Sequence, residues 1–269
     1  MELRDIKEYV KTFKNVIKTR IEVDYKEAPP TLAIIQVGNN EASNRYVRNK
    51  LKDCDEVGIT AHAYSYPENT TEFELVDEIE HLVEFYDGVM VQLPLPPHIR
   101  VEAAIAAIPK EKDVDGFRRD SCFDPATPLG IVNYLDYCGF EWTGKEVTII
   151  GRSDIVGKPL ARLMTNKDAT VTLCHSKSKL SNHIYDSDLI VCAVGKAGFL
   201  NCYPIHCPVV DVGINFVKDS EGRSQLVGDA FNTDGRNVTP VPGGVGLLTR
   251  LTLLENVVKA KELNYEHTY

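Results

Sequence analysis

The sequence lacks most of the features that would send it to a membrane, a disulfide scaffold or a nucleic acid. No apolar run approaches the roughly 20 residues of a membrane-spanning helix. The opening Met1-Glu-Leu-Arg-Asp-Ile-Lys7 carries charge where a secretory signal would carry its apolar core, so a cytoplasmic protein is expected. Seven cysteines (54, 122, 138, 174, 192, 202 and 207) form an odd, scattered set without a C-x-x-C pair. That argues for free thiols in a reducing compartment. Cys202-Tyr-Pro-Ile-His206-Cys207 holds three potential zinc ligands but lacks paired spacing and a nearby fourth ligand, so no metal is expected. Positive charge is not in excess: the formal net charge is -9. A non-specific nucleic-acid surface, which needs clustered Lys and Arg, is not expected. There is no low-complexity tract and no repeat of short period.

What is present is an ordinary globular composition, 43% hydrophobic and 26% charged over 269 residues, enough for two domains of usual size. Apolar runs alternate with amphipathic helical segments throughout, which predicts an α/β protein with largely parallel sheets. Leu3, Ile6, Val10, Phe13 and Ile17 follow helical spacing. A buried strand is expected over 31–38, a helix over 42–57 stopped by Gly58, a strand over 61–66 and a helix over 73–85. A third strand over 88–93 and a short helix over 101–108 follow. Asp124-Pro-Ala-Thr-Pro-Leu-Gly130 is read as a boundary loop, after which another helix runs to about Cys138. Beyond it the pattern restarts, with strands over 146–150, 169–174, 188–193 and 208–212 and a helix over 158–165. The last helix, over 245–263, is expected to pack back on the first domain. Residues 1–124, completed by 247–269, then form one domain, and 125–246 form a Rossmann-like second.

Val147-Thr-Ile-Ile-Gly151-Arg152-Ser153-Asp-Ile155-Val156-Gly157-Lys-Pro159 reads as strand, glycine turn, helix. In that geometry backbone N–H groups and a helix start meet a pyrophosphate. It departs from the G-x-G-x-x-G fingerprint, because only two glycines are present. NAD-binding folds place an acid about 20 residues on, for the ribose hydroxyls. Here the next strand ends in His175-Ser176-Lys177-Ser178-Lys179, with no acid. Arg152 supplies a planar donor fork, and Ser176 and Lys177 further donors, for a 2′-phosphate. NADP is therefore preferred over NAD, against the plainer reading of a solvated basic turn.

In the first half, Tyr46 and Lys50 share one face of a helix. Val47, Leu51 and Cys54 are expected to form its buried stripe, leaving Lys50 at the edge of the core. A Lys at such an edge is partly desolvated, which fits it for acid/base work; a snorkelling surface Lys is the alternative. Gln92 ends a buried strand, where parallel sheets carry ligands. Lys112-Asp113-Val-Asp115-Gly116-Phe117 puts two acids in a loop. A carboxylate there suits a planar heterocycle with paired N–H donors, but spacing alone leaves a simple turn equally open.

Seven segments occur in an order that resembles the methylenetetrahydrofolate dehydrogenase/methenyltetrahydrofolate cyclohydrolase family. They are Ser43–Lys50, Val91–Pro96, Lys112–Phe117, Gly151–Pro159, Ala169–Ser176, Asp211–Asn215 and Pro240–Gly246. The resemblance implies a folate site in a cleft between two domains and a homodimer. Tyr46 would lie against the aminobenzoate ring, Lys50 would be central to catalysis with Gln92 bonded to it, and Asp115 would hold the pterin. Pro242, Gly243 and Gly246 would line the folate, and Arg152 and Ser176 would contact the NADP phosphate. The implied reactions are NADP-linked oxidation of methylenetetrahydrofolate and hydrolysis of the methenyl product. Three departures stand out: Ala126 for a Cys, Leu247-Leu248 for Pro-Met, and Ala230 for a larger residue. The alternatives are a form with one activity, a shikimate-type NADP dehydrogenase, and a binding protein that has lost catalysis.

Overall fold

The computed structural model describes residues 1–218, 222–230 and 237–266, without the side chains of Tyr265 and Glu266. The chain divides into two compact units. One comprises Thr12–Ala126 and Arg250–Tyr269, the other Met1–Lys11 and Thr127–Thr249. The chain's first residues therefore group with the second unit, where the sequence had suggested the first. Tyr134 explains this: its hydroxyl donates to the Arg4 carbonyl at 2.6 Å, and its ring meets Tyr9 edge-on at 5.6 Å.

The first unit is built on a three-stranded parallel sheet. β1 (Thr31–Val37) lies between β2 (Thr60–Tyr66) and β3 (Gly88–Val91). Six consecutive residues of β1 are buried, as a central parallel strand requires. Helix α2 (Glu41–Val57) starts at Asn40, whose side chain accepts from the Ser43 N–H, and ends at Gly58 in the left-handed region. Helix α3 (Glu72–Leu82) opens with a capping box between Thr71 and Glu74. Its Leu75 and Ile79 are fully buried against Ala33, Ile35 and Val89. Each such side chain contributes about 2 kcal/mol of burial, so Leu75→Ala would loosen α3 from the sheet. A short α4 (Val101–Ala106), most of α1 (Ile6–Asp24) and the later part of α8 (Val245–Glu266) complete this unit.

The second unit carries a four-stranded parallel sheet in the order β5-β4-β6-β7. The strands are β4 (Glu146–Ile150), β5 (Thr170–Cys174), β6 (Leu189–Cys192) and β7 (Val209–Asp211). The strand order reverses between β4 and β6, which makes the crevice beyond their C-terminal ends the ligand position of such a sheet. Helix α5 (Ala126–Tyr137) begins inside the Pro-rich stretch expected to be a loop. Pro128 is its third residue, and the N–H it lacks has no acceptor within the helix at that position. Helix α6 (Gly157–Thr165) follows β4. One helix and one β-hairpin are additions to the expectation. Helix α7 (Leu180–Tyr185) buries only Leu180 and Ile184, too short a pattern to read. The antiparallel β8 (Asn215–Lys218) and β9 (Ser224–Val227) are four-residue strands with half their side chains exposed. Among the described residues no helix is long and apolar enough to cross a membrane, and no three metal-ligating side chains gather.

Candidate active site

In the three-stranded unit the structure brings Lys50, Gln92 and Asp115 to one place. Lys50 is in the buried stripe of α2, not at its edge, and is 7% exposed. The stripe is Ser43, Val47, Lys50, Cys54 and Val57, whereas Leu51 is only half-buried. The helix is rotated from the expected stripe because Asp53 is also held inward, paired with Lys14 of α1 and Arg250 of α8 at 2.6 Å each. The Arg250 contact is an ion pair off the hydrogen-bonding direction, since the same Asp53 oxygen makes no well-formed hydrogen bond. Arg250 further donates to the Asn49 carbonyl. Asp53 and Arg250 were not singled out from sequence. The one signal was an acid three residues after Lys50, on the same helical face.

The Lys50 ammonium donates to Gln92 Oε1 at 3.0 Å and lies 3.4 Å from Met90 Sδ. Gln92 is itself fixed: its N–H continues the sheet ladder to the Ile35 carbonyl, and its Nε2 donates to the Leu93 carbonyl. Burial lowers the pKa of Lys50. The charge of Asp115 opposes that shift, and Arg250 adds to it. An ammonium with so few oxygen partners in an apolar setting is held closer to its neutral form than a surface lysine.

Asp115 arrives along a chain segment that runs beside β3. Val89 and Asp113 form a parallel bridge, which puts Asp115 level with Val91, next to Gln92. Its loop is a tight turn, but not only a turn. Gly116, at φ +68°, packs so closely on the Asp124–Pro125 backbone that a Cβ would fall 2.6 Å from it. The Asp115 carbonyl accepts from the Ala126 N–H at 3.2 Å. Asp115 is 7% exposed, and among the described residues its carboxylate has no hydrogen-bond partner. Burial raises its pKa, opposed by the Lys50 charge. Asp113, by contrast, is spent on structure, accepting from the Arg118 N–H at 2.8 Å. Tyr46 lies one turn before Lys50, half-buried, its phenol pushed up by burial.

The other candidate residues occupy one edge of the four-stranded sheet. Gly151 has φ +121°, and a Cβ there would meet the Ala193 carbonyl oxygen at 2.3 Å; one at Gly157 would meet the Gly151 oxygen at 2.1 Å. Both glycines are thus required for the turn after β4 to pack on the end of β6. Ser153 partly fills the helix start: its hydroxyl accepts from the Val156 and Gly157 N–H groups at 3.2 and 3.4 Å. The α6 terminus is less open than the motif suggested. Ile150 pairs with Cys174 across the sheet, so Arg152 and Ser176 follow neighbouring strands by the same two residues. Both are exposed, as is Lys177, while His175 is tied into its turn by Ser178. Ile155, Val194 and Ile214 stand 43%, 36% and 43% exposed in the turns after β4, β6 and β7. Val194 escaped the sequence reading, since a single apolar residue in a turn carries no pattern, and Ile214 entered it only as part of the Asp211–Asn215 segment.

Pro242 and Gly243 form the turn before α8, and Gly246 is its second residue. Gly243 is at φ +97°, and a Cβ at Gly244 would fall 2.2 Å from the Pro240 oxygen. Leu247 uses the N–H that a Pro would lack, donating to the Gly244 carbonyl at 2.9 Å.

Residues 5–115 match the family described as tetrahydrofolate dehydrogenase/cyclohydrolase, catalytic domain. Residues 125–265 match the NAD(P)-binding domain of the same family. The chain belongs to the tetrahydrofolate dehydrogenase/cyclohydrolase family. It is 41% identical over 275 residues to the bifunctional protein FolD of Lysinibacillus sphaericus, covering 95% of each chain. The solved bifunctional FolD of Campylobacter jejuni is 37% identical, with a TM-score of 0.89 over 97% of this chain and 98% of that one. The Trypanosoma brucei family member, solved with NADP cofactor and an inhibitor, is 32% identical with a TM-score of 0.89 over 98% of each.

Proposed function

We propose that this chain oxidises methylenetetrahydrofolate to methenyltetrahydrofolate with NADP, and hydrolyses the methenyl product to formyltetrahydrofolate. The observation that carries the reading is the buried Lys50, bonded to Gln92 beside the unpartnered carboxylate of Asp115. Asp115 offers two acceptor oxygens to the amino-pyrimidine edge of a pterin, and Tyr46 offers a ring face for the aminobenzoate. For Pro242, Gly243 and Gly246 the support is the motif alone.

Bound NADP supplies the hydride acceptor. The residues of the four-stranded sheet suit it: a turn whose glycines allow close backbone approach, an exposed Arg152 and Ser176 for the 2′-phosphate, and an apolar rim at Ile155 for flat rings. Gly151, Ser153, Val156, Gly157, His175 and Lys177 belong to the same reading. In the oxidation the protein's task is placement, with Asp115 and Tyr46 orienting the folate while its methylene bridge gives up a hydride. In the hydrolysis water adds to the methenyl carbon and one C–N bond opens, so a proton leaves the water and one reaches the departing nitrogen. Lys50, with its pKa lowered and its ammonium aimed by Gln92, is the group for that traffic.

We further propose a cytoplasmic homodimer, from its family, without nucleic-acid partners, from its net charge of -9. Sedimentation at working concentration tests the dimer. The enzymatic test is one cuvette containing methylenetetrahydrofolate and NADP, then NAD. Transient methenyl absorbance and NADPH formation are expected, with NAD the poorer acceptor. Absence of both signals would overturn the reading.

A further inference from the structure

Two buried carboxylates lie at the C-terminal edge of the four-stranded sheet: Asp211, the first residue of the Asp211–Asn215 segment, and Asp229, which lies outside all seven segments. Asp211 ends β7 at 1% exposure, and Asp229 follows β9 at 0%. Asp211 accepts three backbone N–H groups: Gly213 and Asp229 on Oδ1 at 2.8 and 3.0 Å, and Ala230 on Oδ2 at 2.8 Å. It therefore holds the backbone from which the Asp229 side chain projects. Asp229 in turn accepts the N–H groups of Val194 and Gly195 on Oδ2, at 2.8 and 3.0 Å. Its Oδ1 takes the Lys196 N–H at 2.7 Å and the Asn215 side-chain amide at 3.0 Å. The fit leaves no slack. A Cβ at Gly213 would fall 2.3 Å from the Asp229 carboxylate, and one at Gly228 would fall 1.9 Å from Asp211 Oδ2.

The turn so gripped, Val194-Gly195-Lys196, leaves the end of β6. That is the far wall of the crevice whose near wall is the Gly151 turn, and the two walls touch where Gly151 meets the Ala193 carbonyl. Three successive N–H groups pointing at one buried anion fix the turn's backbone without using any side chain that faces the crevice. We propose that Asp229 is a positioning residue for the dinucleotide: its carboxylate sets the β6 turn, and through Asn215 the β7 turn, in the shape that receives the cofactor. Nothing in its environment lets it touch a ligand. The inference rests on the reading of this unit as the NADP site.

Asp229→Asn is the direct test, because the amide is nearly the same size. One end of it must present N–H to backbone N–H donors, so the turn is released while the cavity stays filled. The full-length variant should show a rise of about tenfold in the NADP dissociation constant and in KM for NADP. Cyclohydrolase kcat/KM on methenyltetrahydrofolate without NADP should stay within about twofold of wild type. Asn215→Ala, which removes one of the four N–H donors and has room at a half-exposed site, should show a smaller change of the same pattern. It carries the test if Asp229→Asn does not fold. Proportional loss of both activities in a folded variant would make Asp229 purely structural and overturn the proposal, as would unchanged NADP affinity. Titration of wild type with NADP separates the two readings: no binding there refutes the nucleotide site itself.

Discussion

The two units solve the problem of presenting a polar site in opposite ways. In the three-stranded unit the working side chains are themselves buried. Lys50 and Asp115 are each 7% exposed, and their pKa values are moved mainly by burial. In the four-stranded unit the side chains assigned to the cofactor, Arg152, Ser176 and Lys177, are exposed. There the buried polar groups, Asp211 and Asp229, hold the backbone from behind. The difference follows from the tasks. Proton transfer needs one group with a tuned pKa in a dry setting, whereas holding a large charged cofactor needs shaped backbone and water-accessible donors. Removing a polar group should therefore cost most where it is buried and faces the substrate.

The largest effect is expected at Lys50. Lys50→Met keeps length and packing but loses the ammonium, so cyclohydrolase activity should fall by about 100-fold or more. Dehydrogenase activity should fall less, and methenyl absorbance should build up during turnover. A variant that clears the intermediate as fast as wild type would remove Lys50 from the hydrolysis. Next is Asp115→Ala, expected to weaken folate binding by about 2–3 kcal/mol with NADP binding nearly unchanged. Calorimetric titration of each ligand decides it, and equal losses would make Asp115 structural.

Asp211 sharpens the contrast through pH. Burial raises its pKa from 3.8 to about 6, against three N–H bonds that lower it. The folded protein thus holds this proton more tightly than the unfolded chain. The contribution is fully stabilising below about pH 4 and is lost as pH rises through about 6. Denaturant unfolding across that window should show wild type losing about 2 kcal/mol more than Asp211→Asn. Parallel pH profiles for the two proteins would contradict the burial account. The smallest effect is expected at exposed Arg152. Arg152→Ala should raise KM for NADP about five- to tenfold and leave that for NAD almost unchanged.

These comparisons separate what can be read along the chain from what cannot. β1 and β4 were legible because central parallel strands are short, mostly apolar runs, and α2 because Gly58 stops it. Lys50, Gln92 and Asp115 were legible as motif members, but their order in sequence did not say that Lys50 lies in the core stripe. That depends on Asp53, which Lys14 and Arg250 draw inward from helices at the two ends of the chain.

By itself, then, the sequence determined the alternating α/β pattern, the glycine turn at Gly151, the absence of an acid after β5, and the family. All of these are local in the chain and carried by residue type and spacing. Tertiary structure alone decided which carboxylates are structural and which remain available. Asp113, Asp211 and Asp229 are consumed by backbone N–H groups, while Asp115 has no hydrogen-bond partner among the described residues. The physical reason is that a carboxylate's role is set by the donors that reach it. Those donors come from residues far along the chain, such as Val194 for Asp229, whose approach no spacing rule encodes.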